Sequence, residues 1–314
     1  MKQLNTPVAL IFFNRPETLE QVFEKVKKAQ PKQLFLIQDG ARNEDDARKI
    51  KECRKIVEDI DWDCEVHRNY SETNLGCGKR PATGISWVLE QVDRTIILED
   101  DCVPCDTFFS YCEEMLERYK DDERISYISG LNHFEEWDCG QYSYFFTKTG
   151  AIWGWATWRR AWQLYDYNIN TINDKYLKKL LPYQFTDKET GKNRILSWEN
   201  THQALQAGDN LSYWDVQWGL VKYSQNQLVV VPKYNQIYNI GVGATSSHAQ
   251  SVKSKGFVKY KSFFYIPTRE LEFPLSHQQY CVCDKEYDKK VDICRRGNKY
   301  IYLLKKLIKK IINK

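Results

Sequence analysis

Along the first half of the chain, unbroken apolar runs alternate with stretches in which apolar residues recur every three or four positions. Pro7 to Phe13 is a β-prone run closed by Asn14-Arg15-Pro16. Pro16 suits the first turn of a helix, and Leu19, Val22, Phe23 and Val26 follow at helical spacing. Leu34 to Ile37 is a second buried strand ending at Gln38-Asp39-Gly40, after which Ile50, Cys53, Val57 and Ile60 share a helix face. Cys64 to His67 gives a short third strand, and Ile85, Val88, Leu89 and Val92 mark another helix. Thr95 to Leu98 is a fourth strand running straight into Glu99-Asp100-Asp101, and Phe108, Phe109, Cys112, Met115, Leu116 and Tyr119 line the next helix. Repeated β-α-β units with apolar strands predict a mostly parallel sheet covered on both faces. Ligands bind such sheets beyond the carboxyl ends of the strands, so Asn14, Arg15, Asp39 and Glu99 to Asp101 are expected to converge on one crevice.

Beyond about residue 125 the alternation fades. Arg124 to Ser129 and Tyr142 to Thr147 read as strands, the aromatic block Trp153 to Trp158 follows, and Thr186 to Asn193 reads as a polar surface loop. Neither repeats nor low-complexity tracts interrupt the chain before its end, which favours one continuous domain. There Tyr300, Ile301, Leu303, Leu304, Leu307, Ile308, Ile311 and Ile312 form a helical stripe with Lys305, Lys306, Lys309 and Lys310 opposite. That pattern predicts a basic amphipathic helix, too short and charged to span a bilayer but suited to an anionic membrane surface.

Composition narrows the function. A net charge of +4 leaves no nucleic-acid footprint. The ten Trp and twenty Tyr provide rings of the kind that stack on sugars. The N-terminus lacks the layout of a secretory signal, so the ten Cys are expected to be reduced and mostly buried. Cys102-x-x-Cys105 and the group His277, Cys281, Cys283 and Cys294 do not have the spacing of paired zinc knuckles.

Glu99-Asp100-Asp101 carries the chemistry. Three adjacent acids behind a buried strand repel one another, and their hard oxygens suit Mg²⁺ or Mn²⁺, ions commonly held by one or two carboxylates plus substrate phosphates. Leu98 to Asp101, with Val103-Pro104 and Phe108-Phe109 behind them, resembles the acidic motif of GT-A-fold glycosyltransferases. The likeness is to the N-acetylglucosaminyltransferase family that starts complex N-glycan branching and to bacterial family-2-like relatives. It implies that Glu99 and Asp100 contact the sugar nucleotide and that Asp101 ligates the metal. Phe13-Asn14-Arg15 and Gln38-Asp39-Gly40 are similar to the segments that hold the nucleotide base, giving Arg15 and Asp39 that role. Asn74 to Arg80 resembles a glycine-containing stretch that places Lys79 and Arg80 near phosphate. Gly154-Trp155, leading into a helix, is similar to a segment beside the sugar, and Gly241 to His248 to a glycine-rich loop in which Ser247 and His248 meet the donor. Tyr213 to Trp218 resembles the block that carries the catalytic base, which falls on Asp215, with Val216 where the relative has a second acid.

The resemblance covers roughly residues 7 to 250 as ordered islands. It implies a GT-A-type, Rossmann-like α/β fold with helices on both faces of a mostly parallel sheet, followed by the C-terminal amphipathic helix. Residues 1–130 are then a nucleotide-sugar-binding half, 131–270 the acceptor-side half and 271–314 a C-terminal extension. The implied activity is metal-dependent, inverting transfer of a sugar from a nucleotide-diphosphate donor, a UDP-sugar by the Asp39 reading, to a hydroxyl of a glycan or lipid-linked acceptor. The expected location is the cytoplasm, peripheral to the inner face of the membrane. The rival is a non-catalytic carbohydrate- or nucleotide-binding module, against which the intact acids at Glu99 to Asp101 and Asp215 speak.

Overall fold

The structure is a computed structural model, and it describes residues 3–241 and 264–296. The expected loop residues Ser247 and His248 and the C-terminal basic stripe lie outside the described residues.

In chain order the first half runs β1 (Val8–Phe12), α1 (Pro16–Ala29), β2 (Gln33–Gln38), α2 (Glu44–Val57), β3 (Glu65–Tyr70), α3 (Gly76–Gln91) and β4 (Arg94–Glu99). A short β5 (Cys102–Pro104) and α4 (Phe108–Arg118) follow. The second half adds β6 (Ile125–Ser129), β7 (Tyr144–Thr147), β8 (Trp155–Trp158) and α5 (Arg159–Trp162). Then come α6 (Lys175–Leu180), α7 (Lys188–Gln206), α8 (Asp215–Ser224), β9 (Leu228–Pro232), β10 (Ile237–Asn239) and α9 (Lys285–Arg296).

Eight strands form one sheet in the order β3-β2-β1-β4-β8-β6-β9-β7. The first four are mutually parallel, β8 runs against both β4 and β6, β9 follows β6, and β7 opposes β9. Six strands therefore share one direction, as expected of a mostly parallel sheet. Strand parity explains the two covered faces. Val8, Leu10 and Phe12 point into a core with Leu19 and Phe23 of α1, Cys53 of α2 and Phe108 of α4. Ala9, Ile11, Phe35 and Ile37 point the other way, toward Ile85 and Val88 of α3, Trp162 of α5, Trp218 of α8 and Tyr287 of α9. Only the edge strand β3 lacks fully buried residues, and its sequence, Glu65 to Tyr70, is correspondingly polar.

Two expectations are corrected. The stretch Thr186 to Asn193 is not a surface loop: from Lys188 it is the opening of α7. Its polarity is that of a helix start, since the Asp187 carboxylate accepts from the Thr190 backbone N–H at 2.9 Å and caps the first turn. The aromatic block leads not directly into a helix but into β8, whose four residues are all buried between β4 and β6. Two long rings and a β-branched residue in Trp155-Ala156-Thr157-Trp158 fit a pleated buried strand well.

A second, two-stranded sheet pairs β5 with β10 in antiparallel register, Cys102 opposite Asn239. It fastens the chain just after the acidic triplet to a segment more than a hundred residues away. Among the described residues, no helix is long and apolar enough to cross a membrane.

Candidate active site

The carboxyl ends of β1, β2 and β4 open onto a cavity of about 510 Å³ that α3 and the start of α8 close from the side. Arg15 stands at the N-cap of α1, where its side chain makes no cap hydrogen bond. It reaches across instead: one Nη pairs with the Asp100 carboxylate and the other donates to Asp101 Oδ2 at 2.9 Å. Asp100 also accepts from the Phe13 backbone N–H at 3.2 Å, while its own N–H donates to Ile11 O at 3.0 Å. The acidic triplet is thus stitched to the end of β1.

Glu99 and Asp215 line the same cavity as Asp100 and Asp101, and of the cavity's three arginines only Arg15 bonds to this group among the described residues. Glu99 is pushed up to about 8, first by burial and then by the charges of Asp101 and Asp100, with Asp215 adding to the same effect. Asp100 is also raised, because burial outweighs the pull of Arg15. Burial opposes the charge on Arg15, but Asp100 and Asp101 overcome it and hold the guanidinium firmly protonated. Glu99 has no hydrogen-bond partner among the described residues, so its carboxyl is the uncommitted member of the group.

Asp215 is the first residue of α8. Its carboxyl has a face open to the cavity, yet protein surrounds it elsewhere, and that partial removal from water raises its pKa. Behind it, Trp214 stacks 5.7 Å from Trp155, which in turn packs against Trp218 and Trp162. This aromatic bed fixes the start of α8.

Asp39, at the end of β2, is almost fully committed to the backbone. Its carboxylate accepts from the N–H groups of Gly40 at 2.9 Å, Leu75 at 2.8 Å and Gly76 at 2.8 Å, pinning the entry of α3 to β2. A carboxylate has about four lone-pair sites, so one remains for a ligand. Arg80, one helical turn on, is buried and donates only to neutral acceptors: Gln38 O at 3.1 Å, Asn69 Oδ1 at 2.9 Å and Asn69 O. Burial lowers its pKa, with Asp39 opposing. It lines the cavity as a cation without a bonded counter-ion among the described residues.

The remaining expectations divide. Lys79 is exposed on the outer side of α3 and does not line the cavity. Trp155 is fully buried in the core and offers no ring face to a ligand. Trp153 and Trp214 line the cavity instead, Trp153 with its ring 4.7 Å from that of Phe264. The intervening Gly154, at φ +58°, makes the turn that sends Trp153 outward and Trp155 inward. Sequence reasoning also missed Arg42, whose guanidinium sits 5.0 Å over the Phe13 ring and pairs with Asp46 at 2.6 Å. Arg42 lies in an ordinary polar turn, and nothing local marks it. Gly241 has a more specific part. A β-carbon there would meet Asp101 Oδ2, so a larger residue fits only if that carboxylate shifts.

The residues present fit a divalent cation by charge and donor type: the cavity carries an excess of carboxylates, and Glu99 is free to bind. Among the described residues no group of three or more His, Cys, Asp or Glu is assembled to hold a metal. A cation here would therefore need further oxygens from a phosphate-bearing ligand, as Mg²⁺ sites commonly do.

No protein-family model matches the sequence, and no curated protein matches it. Solved structures similar to this chain include S. aureus TarS 1-349, at 8% identity and a TM-score of 0.40, covering 75% of this chain and 60% of that one. Another is a UDP-glucose pyrophosphorylase complexed with UDP-glucose, at 9% identity and a TM-score of 0.37, covering 76% of this chain and 94% of that one. The chain thus spans about 60% of the length of the TarS structure.

Proposed function

We propose that the protein is an inverting glycosyltransferase that moves a sugar from a nucleotide-diphosphate donor to an acceptor hydroxyl. The observation that carries this reading is the placement of Asp215 and the Glu99 to Asp101 group on one cavity, with raised carboxyls and the Arg15 guanidinium bonded to the triplet. With Asp39, five acids line the cavity, more than its three arginines balance. They suit a site in which charge moves.

In this reading the base lies near the ends of β1 and β2, where the last lone pair of Asp39 accepts the imide N–H of a uracil. Arg80 supplies the positive field for the diphosphate. Asp101, with Glu99, would hold Mn²⁺ or Mg²⁺ against the phosphates. When bound, the ion supplies positive charge that stabilises the diphosphate leaving group. Trp153 forms the wall against which a sugar ring lies. Asp215 accepts the proton of the acceptor hydroxyl as that oxygen attacks the anomeric carbon. A carboxyl lifted toward neutrality is a better base at working pH than an ordinary aspartate. A single displacement from the opposite face inverts the anomeric configuration, by the stereochemical logic of inverting glycosidases. The acceptor is a glycan or a lipid-linked glycan, and the protein works at the inner face of a membrane that the C-terminal basic stripe contacts.

Calorimetry of UDP binding tests the site. Binding in Mn²⁺ that disappears in EDTA, and that Asp101→Ala removes, is the expected result. Equal affinity with and without a divalent ion contradicts the metal assignment.

A further inference from the structure

Among the exposed large apolar side chains of the described surface, four fall on one helical hairpin. Tyr176 is 69% exposed, Leu180 42%, Tyr183 70% and Leu196 55%. All four lie on α6, on the turn after it, or on α7. Lys178 pairs with Glu199 at 3.0 Å and Asn173 contacts His202 at 3.1 Å, which lays α6 antiparallel along α7. Tyr176 and Leu180 are one helical turn apart on α6, and Lys188, Lys192 and Leu196 form a single stripe on α7. Lys188 Nζ sits 5.4 Å from the Tyr183 ring, joining the turn to that stripe.

These are not misplaced core residues. The inner side of the same helices already packs a core of its own, with Leu181, Trp198 and Leu220 buried and Leu177, Phe185 and Ile195 against them. The outer side is instead interleaved with exposed Lys175, Lys179, Lys188 and Lys192. The acids nearby are largely occupied, Asp174 and Asp187 capping helices and Glu199 paired to Lys178.

We infer that this face docks on an anionic phospholipid surface. Tyrosine at an interface buries its ring while its hydroxyl stays wet, and lysine stems run along apolar surface with the ammonium in the headgroup layer. Leu180 and Leu196 decide against a glycan as occupant, because sugars stack on rings and gain little from aliphatic branches. The position of the chain's end adds to this. Asp292 of α9 accepts from Thr186 Oγ1 at 2.9 Å, so α9 finishes beside this face. The sixteen residues that end the chain, with six lysines and no acid, follow within three residues of α9. The inference deepens the membrane part of the proposed function, and it stands on folded residues that the tail does not include.

The test is co-sedimentation of the full-length protein with vesicles of phosphatidylglycerol and phosphatidylcholine, and with phosphatidylcholine vesicles alone. Wild type should bind only the anionic vesicles, and less as added salt shortens the screening length. A face variant carrying Tyr176→Ser, Leu180→Ser, Tyr183→Ser and Leu196→Ser should keep its melting temperature and UDP binding. It should lose at least about tenfold in vesicle affinity with the tail intact. A full-length tail variant, Leu304→Asp with Leu307→Asp, separates the two elements. If it abolishes binding while the face variant binds like wild type, the face has no lipid role. Equal binding to neutral vesicles, or no vesicle binding by wild type, overturns the inference. So does a face variant that only converts a dimer to a monomer in light scattering.

Discussion

Among the described residues, Arg15 is the single cation bonded within the acidic group, and its loss should be costly. Breaking a buried pair by removing one partner leaves uncompensated charge and typically costs about 3–5 kcal/mol. Arg15→Met should therefore lower stability in urea by about that amount, since Asp100 is left buried without its partner. Asp215 is tested through turnover instead. Asp215→Asn keeps the shape but cannot take a proton. Donor binding should persist while turnover falls by about 10²–10⁴-fold, measured as nucleoside-diphosphate release with a competent acceptor. The acids were legible in sequence because like charges packed behind an apolar strand need a reason. The aromatics were not. Trp153 and Trp155 differ by two positions, and the turn at Gly154 that turns one outward and the other inward leaves no trace in a hydrophobicity pattern.

Among the elements, α3 is positioned by a side chain and not by its own sequence. It begins with two glycines and carries Pro81 in its first turns, poor material for a helix start. Asp39 compensates by taking the N–H groups of Leu75 and Gly76. Asp39→Ala should destabilise the fold by about 1–3 kcal/mol, through donors left without a partner. It should also weaken UDP binding, and Asp39→Asn should recover part of the stability. The pairing of β5 with β10 is a second device of this kind. It brings Gly241 over Asp101, and Gly241→Ala should reduce divalent-dependent UDP binding by forcing that carboxylate to move, with little change in melting temperature. Strands β1, β2 and β4 and the helices between them could be read from periodicity because each buries a continuous face. The contact of β10 with β5 could not, being made of three residues whose partner lies far along the chain. The start of α7 was misread for a related reason: a polar first turn resembles a loop until its cap is seen.

For the molecule as a whole, the two-faced sheet followed from the alternation of apolar runs and helical stripes, which leaves little choice of architecture. The reversed strands β7 and β8 in the second half did not follow, since antiparallel insertion depends on tertiary pairing and not on local pattern. The acidic cavity has a global consequence. Glu99 binds a proton in the folded state up to about pH 8, whereas an unfolded glutamate has released it near its ordinary value. Between those limits the folded state holds the extra proton, so stability of the ligand-free protein should fall as pH rises through this window. Raised Asp100 and Asp215 act in the same direction. Melting temperatures from pH 5 to pH 8 should decline, and Glu99→Gln should make the decline shallower.

The most direct measurement is nucleoside-diphosphate release from a panel of nucleotide sugars, with Mn²⁺ and a mixture of glycan and lipid-linked acceptors. The account predicts release from a UDP-sugar by the wild-type protein, loss of release with Asp215→Asn, and retained binding of that same donor by the variant. It is contradicted if no nucleotide sugar in the panel binds or is consumed, or if Asp215→Asn turns over at the wild-type rate.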